Sequence, residues 1–348
     1  MIAAVYTQGQ GLAFVERQKP EIKPDEALVK VDATAICGTD AKIARTGSRK
    51  ARAGRSWTLG HEFVGTVVET GAAVRGLPLG ARVGVAPNFG CGHCAACIRG
   101  LANMCGEYSA FGIDMDGSHA PYVRLPAAAI AQGNVVELPA GVAPESAALA
   151  EPLSCVLNAQ KNVNLRAGEA VVVYGVGPMG LLHVLLAEAI GAAPIIAVDT
   201  NAARLAKALE LGADLAIDGS AGTTVARVQA ATGGRGADAV FTAASVPGII
   251  PEGMEILAPF GRLSLFAGLL GGQSTVPLDA NRIHYRNLVV TGTSGGCNAD
   301  HRAAVQLIAS GRVDVRPVIS HTFPMAAIED AYKMALSGQG MKIVIKGE

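Results

Sequence analysis

The sequence predicts an α/β protein in which a β-rich domain precedes a doubly wound parallel sheet. Three observations predict it. The first ~150 residues are rich in glycine, proline and short β-branched runs, the pattern of strands separated by turns. From about residue 170, strand-like and helix-like stretches alternate as βαβ units do. A glycine triplet stands between one of those strands and the helix that follows. A chain of 348 residues, half of them hydrophobic, also exceeds what one core usually accommodates, so two domains are expected.

In the N-terminal part ALVKVDATAI, FVGTVVETG and ARVGVAP are read as strands. Further along come AVVVYG, PMGLLHVLLAEAIG, PIIAVDT, NAARLAKALELG, ADLAID, TTVARVQAATG, ADAVFTA and RLSLFAG, strand and helix in turn. After LVVTGTS, near residue 288, the alternation stops. DHRAAVQLIASG and MAAIEDAYKMALSG then read as helices before a final strand KIVIK, and this segment is expected to return to the first domain. The boundaries expected are 1–155, 156–290 and 291–348. RTGSRKARAGR (45–55) reads as a basic, glycine-containing mobile loop.

Twenty-nine basic and twenty-nine acidic side chains cancel, and neither sign collects in a run, which excludes a nucleic-acid or anionic-membrane footprint. The partners expected are small molecules. The N-terminus lacks a basic region followed by an apolar core, and no apolar run approaches the ~20 residues of a membrane-spanning helix, so a cytoplasmic protein is expected. Seven cysteines, an odd number without an export signal, argue against a disulfide framework.

Four of the seven fall in CGHCAACIRGLANMC (91–105). Cys91, Cys94, Cys97 and Cys105 follow C-x2-C-x2-C-x7-C, in which tight gaps aim successive sulfurs at one point and a longer return closes a tetrahedron. The pattern suits a structural zinc; four thiolates leave no open position, so the metal serves folding rather than chemistry. A four-cysteine iron–sulfur site and free thiols are the alternatives. His93 lies within the loop and is read as a bystander.

VVVYGVGPMG places Gly175, Gly177 and Gly180 in G-x-G-x-x-G spacing between a hydrophobic strand and a helix that opens on Pro178 and Met179. The first glycine permits the tight turn, the second lets backbone approach a pyrophosphate, and the third lets helix and strand pack closely. The helix N-terminus adds unpaired N–H groups and a positive dipole end for the phosphates. Asp199 ends the next strand, where a carboxylate accepts hydrogen bonds from the adenosine ribose hydroxyls and repels a 2′-phosphate. NAD is therefore the cofactor expected, with a plain strand-end aspartate as the alternative. Arg204 either covers the adenine or is a solvated helix arginine.

GHEFVGTVVETGAAV (60–74) fits G-H-E-x2-G-x5-G-x2-V. Together with the cysteine loop and the glycine triplet, in that order along essentially the whole chain, it resembles the zinc-containing medium-chain dehydrogenase/reductase family. CGTDAK, EPLSCVLNAQ, NRIHYRNLVVTGTS and LIASGRVDVRPVISHTFPMAAIEDAY are most similar to its L-iditol 2-dehydrogenase (sorbitol dehydrogenase)-like branch.

The resemblance implies a GroES-like catalytic domain carrying a structural zinc lobe (about 88–108) and completed by the C-terminal segment, with a Rossmann domain inserted between. It implies two zinc ions per chain. For the catalytic ion it implies Cys37, His61 and Glu151 as ligands, with Glu62 binding directly or exchanging with water or substrate, and Asp40 orienting the histidine. Zinc would then polarise a secondary hydroxyl of a polyol, sugar or cyclitol, and hydride would pass to NAD, giving the ketone. Thr39 matches the hydroxyl that takes the proton; its alternative is a turn residue. Lys42 stands where many relatives carry a relay histidine, and a lysine of ordinary pKa near ~10.4 accepts protons poorly at neutral pH.

Asn158 also replaces a histidine common in the branch. Cys155 and Cys297 read as small buried hydrophobes, and His284 and Tyr285 as residues near a domain or subunit contact. His119 stands where the family often has phenylalanine or a small residue and is given no role. L-threonine 3-dehydrogenase is the alternative activity, and nucleotide binding without chemistry a third reading. Relatives imply a homotetramer, with a homodimer as the alternative.

Overall fold

The structure, a computed structural model, describes residues 1–348 except 49, 51–53, 270, 271, 273 and 348. Much of the basic loop expected at 45–55 therefore lies outside the described residues, although Arg45 and Thr46 end a helix, Gly38–Thr46. The described chain divides into two units, one formed by Met1–Ser154 with Gly296–Glu348 and the other by Cys155–Gly295, so the first cut falls inside the helix Ala150–Asn162.

The first unit is β-rich. Its larger sheet runs Val135–Glu137, Arg82–Val85, Glu62–Thr70, Ala27–Ile36, Lys342–Lys346 and Ile319–Pro324, with Tyr122–Leu125 also paired to Ala27–Ile36. The chain's last strand thus becomes an interior neighbour of one of its first, antiparallel with Ile343 opposite Ile36. A second sheet joins Gly11–Glu16, Ile2–Thr7 and Ser56–Thr58. Trp57, Leu59, Phe63, Phe111 and Tyr332 are among the side chains buried in this unit's core. The return of the C-terminal segment is also pinned by amides. Asn298 Nδ2 donates to Gln132 O (2.8 Å) and Asn134 Oδ1 (3.1 Å), while Asn134 Nδ2 donates to the carbonyls of Ala86 (2.9 Å) and Asn88 (2.6 Å).

The second unit carries the parallel sheet that the sequence predicts. Its strands lie in the order Leu215–Asp218, Ile195–Asp199, Val171–Tyr174, Ala237–Thr242, Leu257–Leu265 and Val289–Gly292, every pair parallel. Counted from Val171–Tyr174 this is 3-2-1-4-5-6, the doubly wound order, which opens a ligand crevice where the strand order reverses. All four residues of Val171–Tyr174 are buried, which is why VVVY reads as an unbroken apolar run rather than an alternating one. The next helix, Pro178–Ile190, buries most of its length and is correspondingly apolar nearly all round.

Three further elements lie outside those read from the sequence. Ile249–Glu255 is a helix although it contains Pro251, because a proline in the first turn sacrifices no helical hydrogen bond. Ala280–Arg286 is a helix started by Asp279, whose side chain accepts from Arg282 N. Ile319–Pro324 is a strand paired in parallel with the last one. Among the described residues no helix is long and apolar enough to cross a membrane.

Asn134→Ala would strip the Ala86 and Asn88 carbonyls of their donor in a fully buried position. A loss of about 1–3 kcal/mol is expected, read as a lower urea midpoint; an unchanged midpoint would contradict the pinning described.

Candidate active site and metal centres

Cys37 sits at the end of the strand Ala27–Ile36 and caps the helix Gly38–Thr46. Its N–H donates to Asp40 Oδ2 (2.9 Å), closing the first turn. Asp40 is fully buried, and its other oxygen accepts from Gly60 N (3.2 Å) and lies 3.4 Å from His61 Nδ1. One carboxylate therefore grips the backbone beside Cys37 and the backbone beside His61. Burial disfavours its charge, but His61 beside it and the Cys37 N–H outweigh that and hold the Asp40 carboxyl down to about 2. Glu62 follows directly, as the first residue of the strand Glu62–Thr70.

One ligand atom each from Cys37, His61 and Glu62 lie within 4.8 Å of one another. A thiol, an imidazole and a carboxylate suit zinc, and three protein donors leave a position free. The site also concentrates negative charge. Burial opposes a charged His61, yet Asp40 and Cys37 raise its pKa well above the ordinary value, so this pocket draws in a cation. The residues present fit the metal. Glu151, buried in the first turn of Ala150–Asn162, is not in that group of three. Thr39 is half-buried two residues beyond Cys37, whereas Lys42 is exposed.

A further charged residue enters the site that the sequence motifs do not contain. Lys342 Nζ lies 2.5 Å from Glu62 Oε1, with Lys342 only 3% and Glu62 0% exposed. Burial disfavours its ammonium, but Glu62, Cys37 and Glu151, in that order, outweigh the penalty and raise its pKa. The strand register explains the placement: with Ile343 opposite Ile36 in an antiparallel pair, Lys342 comes level with Cys37. The only signal in the sequence is a lysine opening the apolar strand KIVIK.

The second group is Cys91, Cys94, Cys97 and Cys105, whose sulfurs also lie within 4.8 Å of one another. Sulfur acceptors are served by backbone: Cys94 N reaches Cys91 Sγ, while Cys91 N and Glu107 N reach Cys105 Sγ, all at 3.4 Å. Those last two N–H groups pull the Cys105 thiol down to about 7, toward the thiolate a metal needs. A Cβ at Gly90 would lie 2.3 Å from Cys97 Sγ, so the loop closes only around glycine. Four sulfurs fit a closed tetrahedral metal. His93 is exposed, with Nδ1 3.0 Å from Cys91 O.

In the second unit, Gly175 adopts φ +82° and Gly180 packs so closely that a Cβ would lie 1.9 Å from Gly175 O. A Cβ on Gly177, by contrast, would meet nothing nearer than Arg204 Nη1 at 3.9 Å. The backbone there faces open space at the N-terminus of the helix Pro178–Ile190, with Pro178 and Met179 in its first turn, which fits a dinucleotide pyrophosphate. Asp199 Oδ2 accepts from Val176 N (2.8 Å) and Oδ1 from Asn201 N (2.9 Å), so the carboxylate is fixed beside the glycine loop with lone pairs to spare. Arg204 reaches the same loop.

The remaining singled-out residues are structural in their contacts. Asn158 Nδ2 donates to Gly295 O (2.7 Å), Cys155 is half-buried, and Cys297 is buried and caps Asn298–Ala309. His284 and Tyr285 are exposed, with ring centroids 4.8 Å apart.

Residues 23–140 match the alcohol dehydrogenase GroES-like domain and residues 178–310 the zinc-binding dehydrogenase domain. The L-threonine 3-dehydrogenase of Bacillus licheniformis is 35% identical over 340 residues, covering 96% of this chain and 95% of the relative. The sorbitol dehydrogenase of Halalkalibacterium halodurans is 32% identical over 352 residues, covering 99% of each. A zinc-binding dehydrogenase structure from Sinorhizobium meliloti bound to NADP superposes with a TM-score of 0.90 at 31% identity, over 99% of this chain and 98% of that one. With its β-rich unit, its 3-2-1-4-5-6 parallel sheet and these matches along its whole length, the chain belongs to the zinc-containing medium-chain dehydrogenase/reductase family.

Proposed function

We propose that the protein oxidises a secondary alcohol of a polyol, sugar or cyclitol to the ketone, with NAD as hydride acceptor. The observation that carries this reading is the contrast between the two donor groups: four thiols in one, and thiol, imidazole and carboxylate in the other. The first closes a metal off, and the second leaves it a position for substrate. When bound there, zinc supplies Lewis acidity to a hydroxyl oxygen, and NAD accepts the hydride.

The chain's own residues do the rest. Cys37 and His61 hold the metal, Asp40 orients His61, and Glu62 and Glu151 supply carboxylates of which one ligates and the other is exchangeable. Glu62 shares its charge with Lys342, which tempers its strength as a ligand. Thr39 takes the proton from the substrate hydroxyl. Lys42, exposed one turn further along the same helix, binds substrate or lines the entrance rather than extending that relay. Gly175, Gly177 and Gly180 admit the pyrophosphate, with Pro178 and Met179 opening the helix behind it. Asp199 accepts the ribose hydroxyls, and Arg204 lies over the adenine end. The four-cysteine lobe holds a structural zinc.

L-Threonine is the second reading, favoured by the 35% identity to a threonine dehydrogenase. It too is a secondary alcohol, so the same residues serve. NADH formation against sorbitol, L-iditol, xylitol, galactitol, myo-inositol, an aminocyclitol and L-threonine separates the two. Turnover of a polyol or cyclitol that disappears in Cys37→Ala supports the first reading, turnover of threonine alone replaces it with the second, and turnover that survives in Cys37→Ala contradicts both.

Asp199→Gly removes the ribose acceptor and the charge that repels a 2′-phosphate. The KM for NAD should rise about tenfold or more while the substrate KM stays nearly constant, and NADP should gain ground. An unchanged preference between the two cofactors would remove Asp199 from the ribose site.

A further inference from the structure

His119 is completely buried, and Tyr332, on the helix Ile328–Ser337, is 1% exposed. Their polar atoms meet: His119 Nδ1 lies 2.6 Å from the Tyr332 hydroxyl, and the rings pack edge to face at 5.4 Å and 86°. The other ring nitrogen, Nε2, lies 3.3 Å from Ala35 O. A carbonyl only accepts, so Nε2 carries the hydrogen, and Nδ1 accepts from the Tyr332 O–H. A single neutral tautomer satisfies both contacts, and burial keeps His119 neutral by lowering its pKa.

These partners flank the metal donors. Ala35 stands two residues before Cys37 on the same strand. On the other side, Gly117 N donates to Thr58 O (2.8 Å), His119 N to Leu59 O (2.8 Å) and Ser118 N to Gly60 O (3.0 Å). Gly60 turns with φ +94°, and a Cβ there would lie 2.4 Å from His119 Cδ2, so the imidazole lies against the α-carbon preceding His61. Ser118 Oγ adds a 2.7 Å contact to Thr34 Oγ1. The segment 117–119 therefore stitches together the two chain segments that deliver Cys37 and His61.

We propose that His119 and Tyr332 form a positioning pair that fixes how Cys37 and His61 face one another. Tyr332 locks the imidazole from the C-terminal helix, and the imidazole in turn holds the Ala35 carbonyl and the Gly60 turn at a set separation. A phenylalanine at 119 fills the same space and makes neither hydrogen bond.

The proposal rests on the reading of Cys37, His61 and Glu62 as a metal site, and the test keeps the two apart. The full-length protein is stripped of metal, reloaded with Co²⁺ and titrated against a chelator while its absorption spectrum is followed. Tyr332→Phe, which deletes one oxygen, and His119→Phe, which keeps a ring, should each weaken cobalt binding at the mixed site about tenfold to hundredfold and shift its visible bands. The four-thiolate cobalt signature and the KM for NAD should stay close to wild type, and the Tm should fall only by what the lost buried hydrogen bonds account for. The double variant should lose no more than the single ones, because the pair acts as a unit.

Unchanged affinity and bands in Tyr332→Phe overturn the positioning role, and this variant decides the matter alone if His119→Phe does not fold. Parallel loss of both metal sites and of Tm also overturns it, since that marks a purely structural pair. A wild-type protein that binds cobalt only at the four cysteines overturns the metal-site reading itself.

Discussion

The buried carboxylate of Asp40 is the constraint on which the cluster of Cys37, His61 and Glu62 depends. A carboxylate removed from water costs several kcal/mol unless hydrogen bonds and positive charge compensate it. Here the compensation comes from Cys37 N, Gly60 N and the His61 ring. Those groups come from separate stretches of chain, so satisfying Asp40 brings the two stretches together. Gly60 must adopt φ +94° to present its N–H, and the packing of His119 against it leaves no space for a side chain. Lys342 does for Glu62 what these groups do for Asp40: it compensates a buried acid with a charge delivered by the last strand.

The two candidate metal sites are built in opposite ways from similar residues. Around the four cysteines, tight gaps, Gly90 and backbone N–H groups aimed at sulfur build a closed shell from one short stretch. Its construction is local. The mixed site draws Cys37, His61 and Glu62 from different elements, and both the strand that carries Lys342 and the helix that carries Tyr332 come from the far end of the chain. Such a site forms only once the first unit has folded, which couples metal binding to the correct return of the C-terminal segment.

What was legible in the sequence follows the same division. The four-cysteine loop and the glycine triplet are local patterns in which each residue type answers to a geometric demand, so they could be read directly from their spacing. The parallel sheet was legible because its central strands are buried on both faces and therefore uniformly apolar. The donors Cys37, His61 and Glu62 were legible through resemblance, because single metal-capable residues carry no spacing of their own. Lys342 was not, since its site role depends on a strand pairing that brings it to Glu62 across 280 residues. His119 was conspicuous but unassigned: its meaning lies in Tyr332, 213 residues away, and in a backbone turn.

The most direct test of this account is the metal content of Asp40→Asn, measured beside wild type with the fold checked by circular dichroism. The amide keeps the size of the carboxylate but loses its charge, and its NH₂ faces an N–H donor. If Asp40 sets the mixed site, wild-type protein holds about two zinc ions per chain and the variant about one, retained by the four cysteines. A variant that keeps both ions with wild-type affinity would show that Cys37 and His61 are placed without Asp40, and would contradict the central claim.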